Sequence, residues 1–362
     1  MSSASSFSAV TDDSVPLSAR GTSTVHLHEG RAPGDFHLTF EREGDGGYYT
    51  YFNGLQWTAP VKVTDEPTYR GGVNLAVDAR NHAHLAWGVE LPAGEYRVLY
   101  RSVSALAPGP IETVQAAADH PECAIAIDAA SRIVVAGTTE ANIGIGLHWR
   151  GPADVWKSSL APTPTARGCW APAVACADGG HVYLAYRNRE NDSPTYWNVW
   201  REGQWTDYRF IPGHKFQPFA RADGAACLLT ANAHAFAQFM RIEPDRDGGY
   251  TVSTAPIAPK LGRLRGAHVG LARTARGTLY ASHASIENPD TLTKTVRPGG
   301  FFALHASRDG GLSWSPAQRV TVDVAGQGFG NIAANGDVLM AVWPDVRGGE
   351  LHLRYRLWCE AE

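Results

Sequence analysis

Hydrophobic and polar residues alternate with a period of two along much of this chain, most clearly over residues 71–90, GGVNLAVDARNHAHLAWGVE. Two alternating runs, 73–77 and 83–87, flank the polar stretch 78–81. Alternation interrupted by Asp, Asn and Arg is typical of two antiparallel strands joined by a tight turn. The segment therefore predicts a β-hairpin.

Weaker copies of this hairpin recur at a spacing of roughly 45 to 50 residues, the period of four-stranded propeller blades. The copies occupy 122–140, 171–190, 217–234, 267–287 and 329–345. Most are followed by a third strand rich in Tyr, Trp, His and Arg, as at 96–102 and 195–202. Residues 24–63 contain four further strand-like runs, at 24–28, 35–41, 48–52 and 56–63. Together these segments predict seven blades.

The two ends of the chain complement each other. The last copy, 329–358, supplies only three strands, whereas residues about 6–15 form one strand-like run that belongs to no other blade. Pairing the two completes the last blade and removes exposed sheet edges. We expect an all-β fold, a seven-bladed β-propeller of four-stranded antiparallel blades whose ring is closed by the N-terminal strand, as a single domain over 1–362.

The composition of the chain argues against two classes of partner, nucleic acids and membranes. The chain has 362 residues, 44% of them hydrophobic, and its 38 Gly and 22 Pro suit a fold with many turns. A formal net charge of −4 with scattered Lys and Arg disfavours a nucleic-acid partner. The absence of a long apolar run disfavours a membrane partner. Residues 1–20 lack a basic start and an apolar segment, which predicts a cytoplasmic protein, although a trimmed signal peptide would leave the same start.

A local motif carries a resemblance to known families. SRDGGLSW, residues 307–314, matches the Asp-box pattern Ser-x-Asp-x-Gly-x-Ser/Thr-Trp. The motif resembles the BNR repeats of sialidase-like propellers, and the hairpin repeats resemble the BNR-containing groups that include polysaccharide lyases and unusual rhamnosidases. In those families the Asp and Gly shape a hairpin and the Trp packs between neighbours. The resemblance implies a fold and a carbohydrate-active protein, not a substrate.

The candidate chemistry lies on one face of the predicted ring. We call this face the upper rim: the loops that lead into each innermost strand and those that leave each second strand. A concave polar site with aromatic residues at a ring axis is the usual place for a small-molecule or oligosaccharide ligand. The catalytic candidates are His120, His234, Tyr69, His214 and His268. The substrate-binding candidates are Arg70, Arg187, Arg265, Trp170, Glu122, Glu140, Gln217 and His283.

These residue types suit β-elimination from an acidic sugar. Arg neutralises the carboxylate, His removes the neighbouring proton, and Tyr protonates the leaving oxygen. We expect His234 or His120 as base, Tyr69 as acid, and Arg187 and Arg265 at the carboxylate.

Glycosidic cleavage is an alternative, because it needs two carboxyl groups about 5 to 10 Å apart and the rim carries several. A sialidase-type site fits less well. Sialidases have an N-terminal Arg-Ile-Pro motif, and the nearest stretch, GRAPGD at 30–35, departs from it at Ala32.

Three further alternatives stay open. The same rim could serve an intracellular enzyme of small-molecule biosynthesis. A non-catalytic lectin should repeat its binding residues in every blade, and the loops after the second strands differ, which favours a single axial site. No metal site is assigned, but a divalent ion is an alternative on His214, Gln217, His234, His268 and His283, whose ligand types suit a transition metal.

Overall fold

The computed structural model describes residues 8–16, 21–42, 44–69, 71–117, 120–139, 144–151, 155–164, 168–188, 194–212, 215–220, 224–231, 237–257, 269–286, 300–321, 330–347 and 350–360. Their regular structure is almost entirely β, and one short 3-10 turn, Asp178–Gly180, is the helical element in these ranges. Among the same residues, no helix has the length and hydropathy needed to cross a membrane.

The strands form seven antiparallel sheets, each a blade. After β1 (Ser8–Ser14), blade 1 contains β2 (Gly21–Glu29), β3 (Asp35–Arg42), β4 (Gly46–Asn53) and β5 (Val61–Lys62). Blade 2 contains β6 (Asn74–Val77), β7 (Ala83–Glu90), β8 (Tyr96–Ser104), β9 (Ala107–Pro108) and β10 (Glu112–Ala117). Blade 3 contains β11 (Cys123–Ile127), β12 (Ile133–Thr138), β13 (Ile145–Arg150) and β14 (Lys157–Leu160).

The remaining blades follow the same plan. Blade 4 contains β15 (Cys169–Ala177), β16 (His181–Asn188), β17 (Pro194–Arg201), β18 (Gln204–Trp205) and β19 (Arg209–Pro212). Blade 5 contains β20 (Lys215–Ala220), β21 (Ala226–Ala231), β22 (Ala237–Pro244) and β23 (Tyr250–Pro256). Blade 6 contains β24 (Val269–Arg273), β25 (Leu279–Ile286), β26 (Gly300–Ser307) and β27 (Gln318–Arg319), and blade 7 contains β28 (Asn331–Asn335), β29 (Val338–Arg347) and β30 (Glu350–Cys359).

The ring closes as the sequence predicts. Strand β1 pairs antiparallel with β30, so the N-terminal strand becomes the outer strand of blade 7. The innermost strands β2, β6, β11, β15, β20, β24 and β28 each contact the next, and β28 contacts β2. This is a seven-bladed propeller. Blades 2 and 4 depart from the four-stranded expectation, because β9 adds a fifth strand to blade 2 and β19 a fifth to blade 4.

The hydrophobic core is divided into seven clusters, one between each pair of neighbouring blades. Successive residues of a strand point to opposite faces of its sheet. On β7, Leu85 and Trp87 accordingly pack towards blade 1, whereas Ala86 packs towards blade 3. The period-two pattern therefore gives every blade two buried faces.

Three hairpins share one turn. In each, the Oδ1 atom of an aspartate accepts hydrogen bonds from the N–H groups two and four residues later, which satisfies donors that the turn would leave unpaired. The aspartates are Asp78 with Arg80 and His82, Asp128 with Ala130 and Arg132, and Asp245 with Asp247 and Gly249. The aspartate therefore stabilises the turn between the first two strands of blades 2 and 3 and between the last two strands of blade 5.

The turn that carries the Asp-box resemblance is compact. The Asp309 carboxylate accepts hydrogen bonds from the N–H groups of Leu312 (3.0 Å) and Ser313 (2.9 Å). Hydrogen bonds from the Ser313 hydroxyl and neighbouring groups lower the pKa of Asp309 to about 2. Trp314 leaves the turn and packs on Phe239 of blade 5, with the ring centroids 5.4 Å apart. The motif residues therefore tie blade 6 to its neighbour.

Candidate functional site

Five of the described rim candidates lie on three consecutive blades. Tyr69 lies just before β6, and His120 and Glu122 lie just before β11. Trp170 and Arg187 are paired across β15 and β16, near the start of the first strand and the end of the second. These positions all belong to the upper rim, because each lies where an innermost strand begins or a second strand ends.

A tyrosine and a histidine from neighbouring blades form the centre of this group. The Tyr69 hydroxyl and His120 Nδ1 are hydrogen-bonded, and the ring centroids lie 5.6 Å apart. Tyr96 meets the Tyr69 ring edge-on, with the centroids 6.4 Å apart. Both members of the Tyr69–His120 pair are half-buried. A phenol hydrogen-bonded to an imidazole can transfer a proton in either direction, as general acid–base catalysis requires.

The backbone around His120 is held by several hydrogen bonds. The Glu122 N–H donates to the His120 carbonyl at 2.8 Å, which closes a tight turn over Pro121. The Thr138 hydroxyl donates to the same carbonyl, and the Thr138 N–H donates to the Glu122 carbonyl at 3.1 Å. Thr138 has no exposed surface. The end of β12 is therefore hydrogen-bonded to the segment that carries the imidazole.

The Glu122 side chain links blade 3 to blade 4. Glu122 is 9% exposed, and its carboxylate accepts a hydrogen bond from the Ala171 N–H at 2.7 Å. Ala171 has a φ of 48°, in the left-handed region that residues with a Cβ rarely adopt. A charged acceptor compensates part of the cost of that conformation. Glu122, expected at the substrate, is thus engaged with the backbone beside Trp170.

Arg187 and Trp170 form a stack. The Arg187 guanidinium carbon lies 4.2 Å from the centre of the Trp170 ring. The sequence predicts Trp170 as an aromatic surface for a ligand, but one face of the ring is covered by Arg187. Stacking holds the guanidinium plane in place, and the donors of arginine lie in that plane in a fork that matches a carboxylate. The Arg187–Trp170 stack therefore presents an oriented cation.

His283 lies in the interior of blade 6. It is 3% exposed, and its ring stacks on His305 of the next strand with the centroids 5.1 Å apart. Burial, followed by the neighbouring His305, lowers the pKa of His283 to about 3. The imidazole is therefore neutral, and its role as a substrate-binding residue stays a prediction.

Other candidates fall outside the described residues: Arg70, Glu140, His214, His234, Arg265 and His268. Of Gln217 only the backbone position in β20 is described. Within the described ranges, no group of three or more His, Cys, Asp or Glu side chains is arranged to hold a metal ion. The alternative divalent-ion site falls largely on the undescribed positions and stays a prediction.

Sequence reasoning missed three residues around the pair: Tyr96, Thr138 and Gly88, whose carbonyl accepts the Tyr69 N–H at 2.8 Å. A sequence signal for Gly88 did exist. Gly88 interrupts the apolar run of HLAWGVE near the end of β7, and a glycine inside a strand often marks the close approach of another backbone.

Two hydrogen-bonded Tyr–His pairs in the described chain lie inside blades instead. His84 Nδ1 bonds to the Tyr100 hydroxyl at 2.7 Å, and His37 Nδ1 bonds to the Tyr49 hydroxyl at 2.7 Å. Tyr100 and Tyr49 are 2% and 3% exposed, so neither hydroxyl is open to a ligand. These two pairs therefore belong to the core. The Tyr69–His120 pair differs from them because it is half-buried and lies at the rim.

Comparison with known proteins gives the same architecture. No protein-family model matches the chain, and no curated protein is similar to it. Similar solved structures include an ulvan lyase of polysaccharide lyase family PL25, with a TM-score of 0.62 and 9% identity over 94% of this chain and 95% of that chain. They also include a fungal alcohol oxidase of the AA5 family in complex with copper, with a TM-score of 0.60 and 9% identity over 98% and 76% of the two chains. The likeness is one of fold.

A Hadza microbial sialidase is also similar, with a TM-score of 0.50 and 11% identity over 95% of this chain and 66% of that chain. The PL25 lyase has also been solved bound to -[GlcA(1-4)Rha3S]-. At 9% to 11% identity, these neighbours show the propeller fold alone. Membership of the BNR group stays a prediction.

Proposed function

We propose that this protein is a carbohydrate-active enzyme that cleaves acidic oligosaccharides by β-elimination at the upper rim. The observation that carries the proposal is the hydrogen bond between Tyr69 and His120, on the blades that precede the Arg187–Trp170 stack along the same rim. The three side chains supply a base, an acid and a cation, which are the groups that this reaction needs.

The pair can complete the proton transfers without another residue. In the tautomer with a proton on His120 Nδ1, that N–H donates to the Tyr69 oxygen, and Nε2 can accept the C5 proton of a uronate. As the C5–H and C4–O bonds break and the C4–C5 double bond forms, the Tyr69 proton moves to the departing oxygen. The proton on Nδ1 then moves to Tyr69. The histidine finishes as the other neutral tautomer, and no proton is gained or lost.

Arg187 acts on the acidity of the substrate. A uronate C5–H is a weak acid because its conjugate base places a second negative charge beside the carboxylate. A guanidinium held against that carboxylate stabilises the developing charge, most effectively when the site is organised before the substrate arrives. The stack on Trp170 provides this organisation. An acidic sugar is therefore the substrate class that the rim suits best.

The comparisons support the same class at a coarser level. The PL25 neighbour is an ulvan lyase bound to a glucuronate-containing repeat, and its chain is similar to this one over nearly its whole length. Because the identity is 9%, this likeness makes ulvan fragments the first substrates to test and does not identify the substrate.

The test is to incubate the protein with ulvan oligosaccharides of the -[GlcA(1-4)Rha3S]- type and follow the ultraviolet absorbance of the unsaturated uronate. We expect Tyr69→Phe and His120→Gln each to lower kcat by roughly 10²- to 10⁴-fold, the usual contribution of general acid–base catalysis. Tyr100→Phe is the matched control, because it removes the hydroxyl of a buried Tyr–His pair inside blade 2. It should leave kcat close to that of the parent.

Other outcomes would reject the proposal. New reducing ends without an unsaturated product would indicate hydrolysis, and binding without turnover would indicate a lectin. Equal turnover by the parent, Tyr69→Phe and His120→Gln would remove the Tyr69–His120 pair from the chemistry.

A further inference from the structure

Strand β7 of blade 2 touches the turn that precedes β11 of blade 3 and carries His120. Gly88, near the end of β7 in blade 2, lies against the backbone of Pro121, the residue between His120 and Glu122. A Cβ placed on Gly88 would overlap the Pro121 carbonyl oxygen. This obstacle is backbone, so it cannot move aside by a change of rotamer.

The same glycine also holds the other member of the pair. Its carbonyl accepts the hydrogen bond from the Tyr69 N–H at 2.8 Å. Gly88 is thus in contact with the segment that carries His120 and with the backbone of Tyr69. The separation between a phenol on blade 2 and an imidazole on blade 3 is set where these blades meet.

We propose that Gly88 is a positioning residue, whose missing side chain brings the His120 turn close enough to blade 2 for the Tyr69–His120 hydrogen bond to form. The inference rests on the proposed function for its catalytic consequence only, since the hydrogen bond can be observed without turnover. A shift on the order of 1 Å at a reacting group can lower turnover by roughly a hundredfold. One methyl group on Gly88 should displace the Pro121 carbonyl by at least that much.

The neighbouring blade offers a matched control. Gly137 lies near the end of β12, one position earlier than the place that Gly88 has in β7, and a Cβ there would lie 2.7 Å from Gln115 Nε2. That obstacle is the end of a side chain, hydrogen-bonded to the Thr138 carbonyl and to His148, and it can shift without displacing the Pro121 backbone. Gly137→Ala should therefore keep the Tyr69–His120 hydrogen bond, whereas Gly88→Ala should lose it.

The experiment compares the parent, Gly88→Ala and Gly137→Ala as full-length proteins by NMR of ¹⁵N-labelled histidines, with the His120 signals assigned by their loss in His120→Gln. The expected result is that the hydrogen-bonded Nδ1 signal of His120 persists in Gly137→Ala and disappears in Gly88→Ala. With ulvan oligosaccharides, Gly88→Ala should lose roughly ten- to a hundredfold in kcat and change little in KM. Persistence of the Nδ1 signal in folded Gly88→Ala would overturn the proposal.

A second variant decides the matter if Gly88→Ala does not fold. Thr138→Val removes the hydroxyl that donates to the His120 carbonyl and keeps the shape of the side chain. If close packing at Gly88 positions the pair, the His120 signal survives in Thr138→Val. If the signal is lost, the Thr138 hydroxyl is the determinant and the proposal is wrong. An inactive parent with an intact His120 signal would reject the proposed function and leave the role of Gly88 standing.

Discussion

Arg187 tests whether the charge of the rim cation or its geometry matters. Arg187→Lys keeps the charge but loses the planar fork that lies 4.2 Å from the Trp170 ring. Lysine is a compact point charge and cannot pair with a carboxylate through two parallel bonds. We expect kcat/KM for ulvan oligosaccharides to fall by roughly tenfold, with both a lower kcat and a higher KM, because the guanidinium binds the carboxylate and stabilises the charge that develops on it.

The control for this variant is Arg209→Lys. The Arg209 guanidinium lies 5.5 Å from the centre of the Trp197 ring and donates to the Tyr250 carbonyl at 2.7 Å, so it joins blades 4 and 5. Arg209→Lys should leave KM unchanged in the folded protein. An equal rise in KM for both variants would show that Arg187 acts through stability.

Individual rim positions follow from the repeat, but their contacts do not. Tyr69 and His120 are 51 residues apart, and counting strands places both at the rim without showing that they touch. The orientation of Trp170 was harder to predict. A bulge between Trp170 and Ala173 interrupts the β15–β16 register, and it leaves the tryptophan under Arg187. Irregularities of this kind leave no period in a sequence.

At the scale of the hairpin, a substitution at one turn position should make the protein more stable. The residue three places after each shared aspartate has a positive φ: 67° at Asn81, 60° at Ser131 and 79° at Gly248. Serine bears a Cβ that clashes in this region, whereas glycine does not. Ser131→Gly should therefore raise the free energy of unfolding by about 0.5 to 1 kcal/mol. The midpoint of urea unfolding measures the change.

The reverse substitution supplies the contrast. Gly277 has a φ of 87° in the turn that begins at Thr274, where its N–H donates to the Thr274 carbonyl at 2.9 Å. Gly277→Ala should lower the free energy of unfolding by about 1 kcal/mol. If both variants moved stability in the same direction, backbone strain would not be the cause.

Inner hairpins were predictable because they are buried on both faces and alternate clearly. Outer strands were not. The sequence predicts an outer strand over 56–63 in blade 1, but only Val61–Lys62 forms β5. The outer strand of blade 3, KSSL, has three exposed residues among its four and therefore little hydrophobic pattern to detect. The additional strands β9 and β19 lie at similar edges.

For the whole molecule, closure of the ring could be predicted because the last blade has only three strands of its own and the N-terminal strand belongs to no other blade. Burial of all seven blade interfaces then follows from the alternation. That the full length 1–362 behaves as one domain stays a prediction, since cooperative unfolding has to be measured. The arrangement of rim loops depends on contacts between distant blades, which a local pattern does not encode.

The blade interiors also predict how the stability of the whole ring depends on pH. His37 and His283 are 1% and 3% exposed, and burial lowers the pKa of His37 to about 4 and of His283 to about 3 from 6.5. Below pH 6.5 the unfolded chain binds protons at these residues, whereas the folded chain does not. Their contribution is therefore complete above the unfolded pKa and is lost as pH falls towards the folded values. Each adds about 1.4 kcal/mol per pH unit to the slope.

His283→Gln isolates one part of that slope. Urea unfolding of the parent and the variant from about pH 7 to about pH 4 should give slopes that differ by about 1.4 kcal/mol per pH unit below pH 6.5 and coincide above it. Carboxylates titrate in the same window, but they are common to both proteins and cancel in the difference. Parallel curves would mean that the His283 imidazole accepts a proton inside blade 6, so that the stack on His305 opens before the ring unfolds.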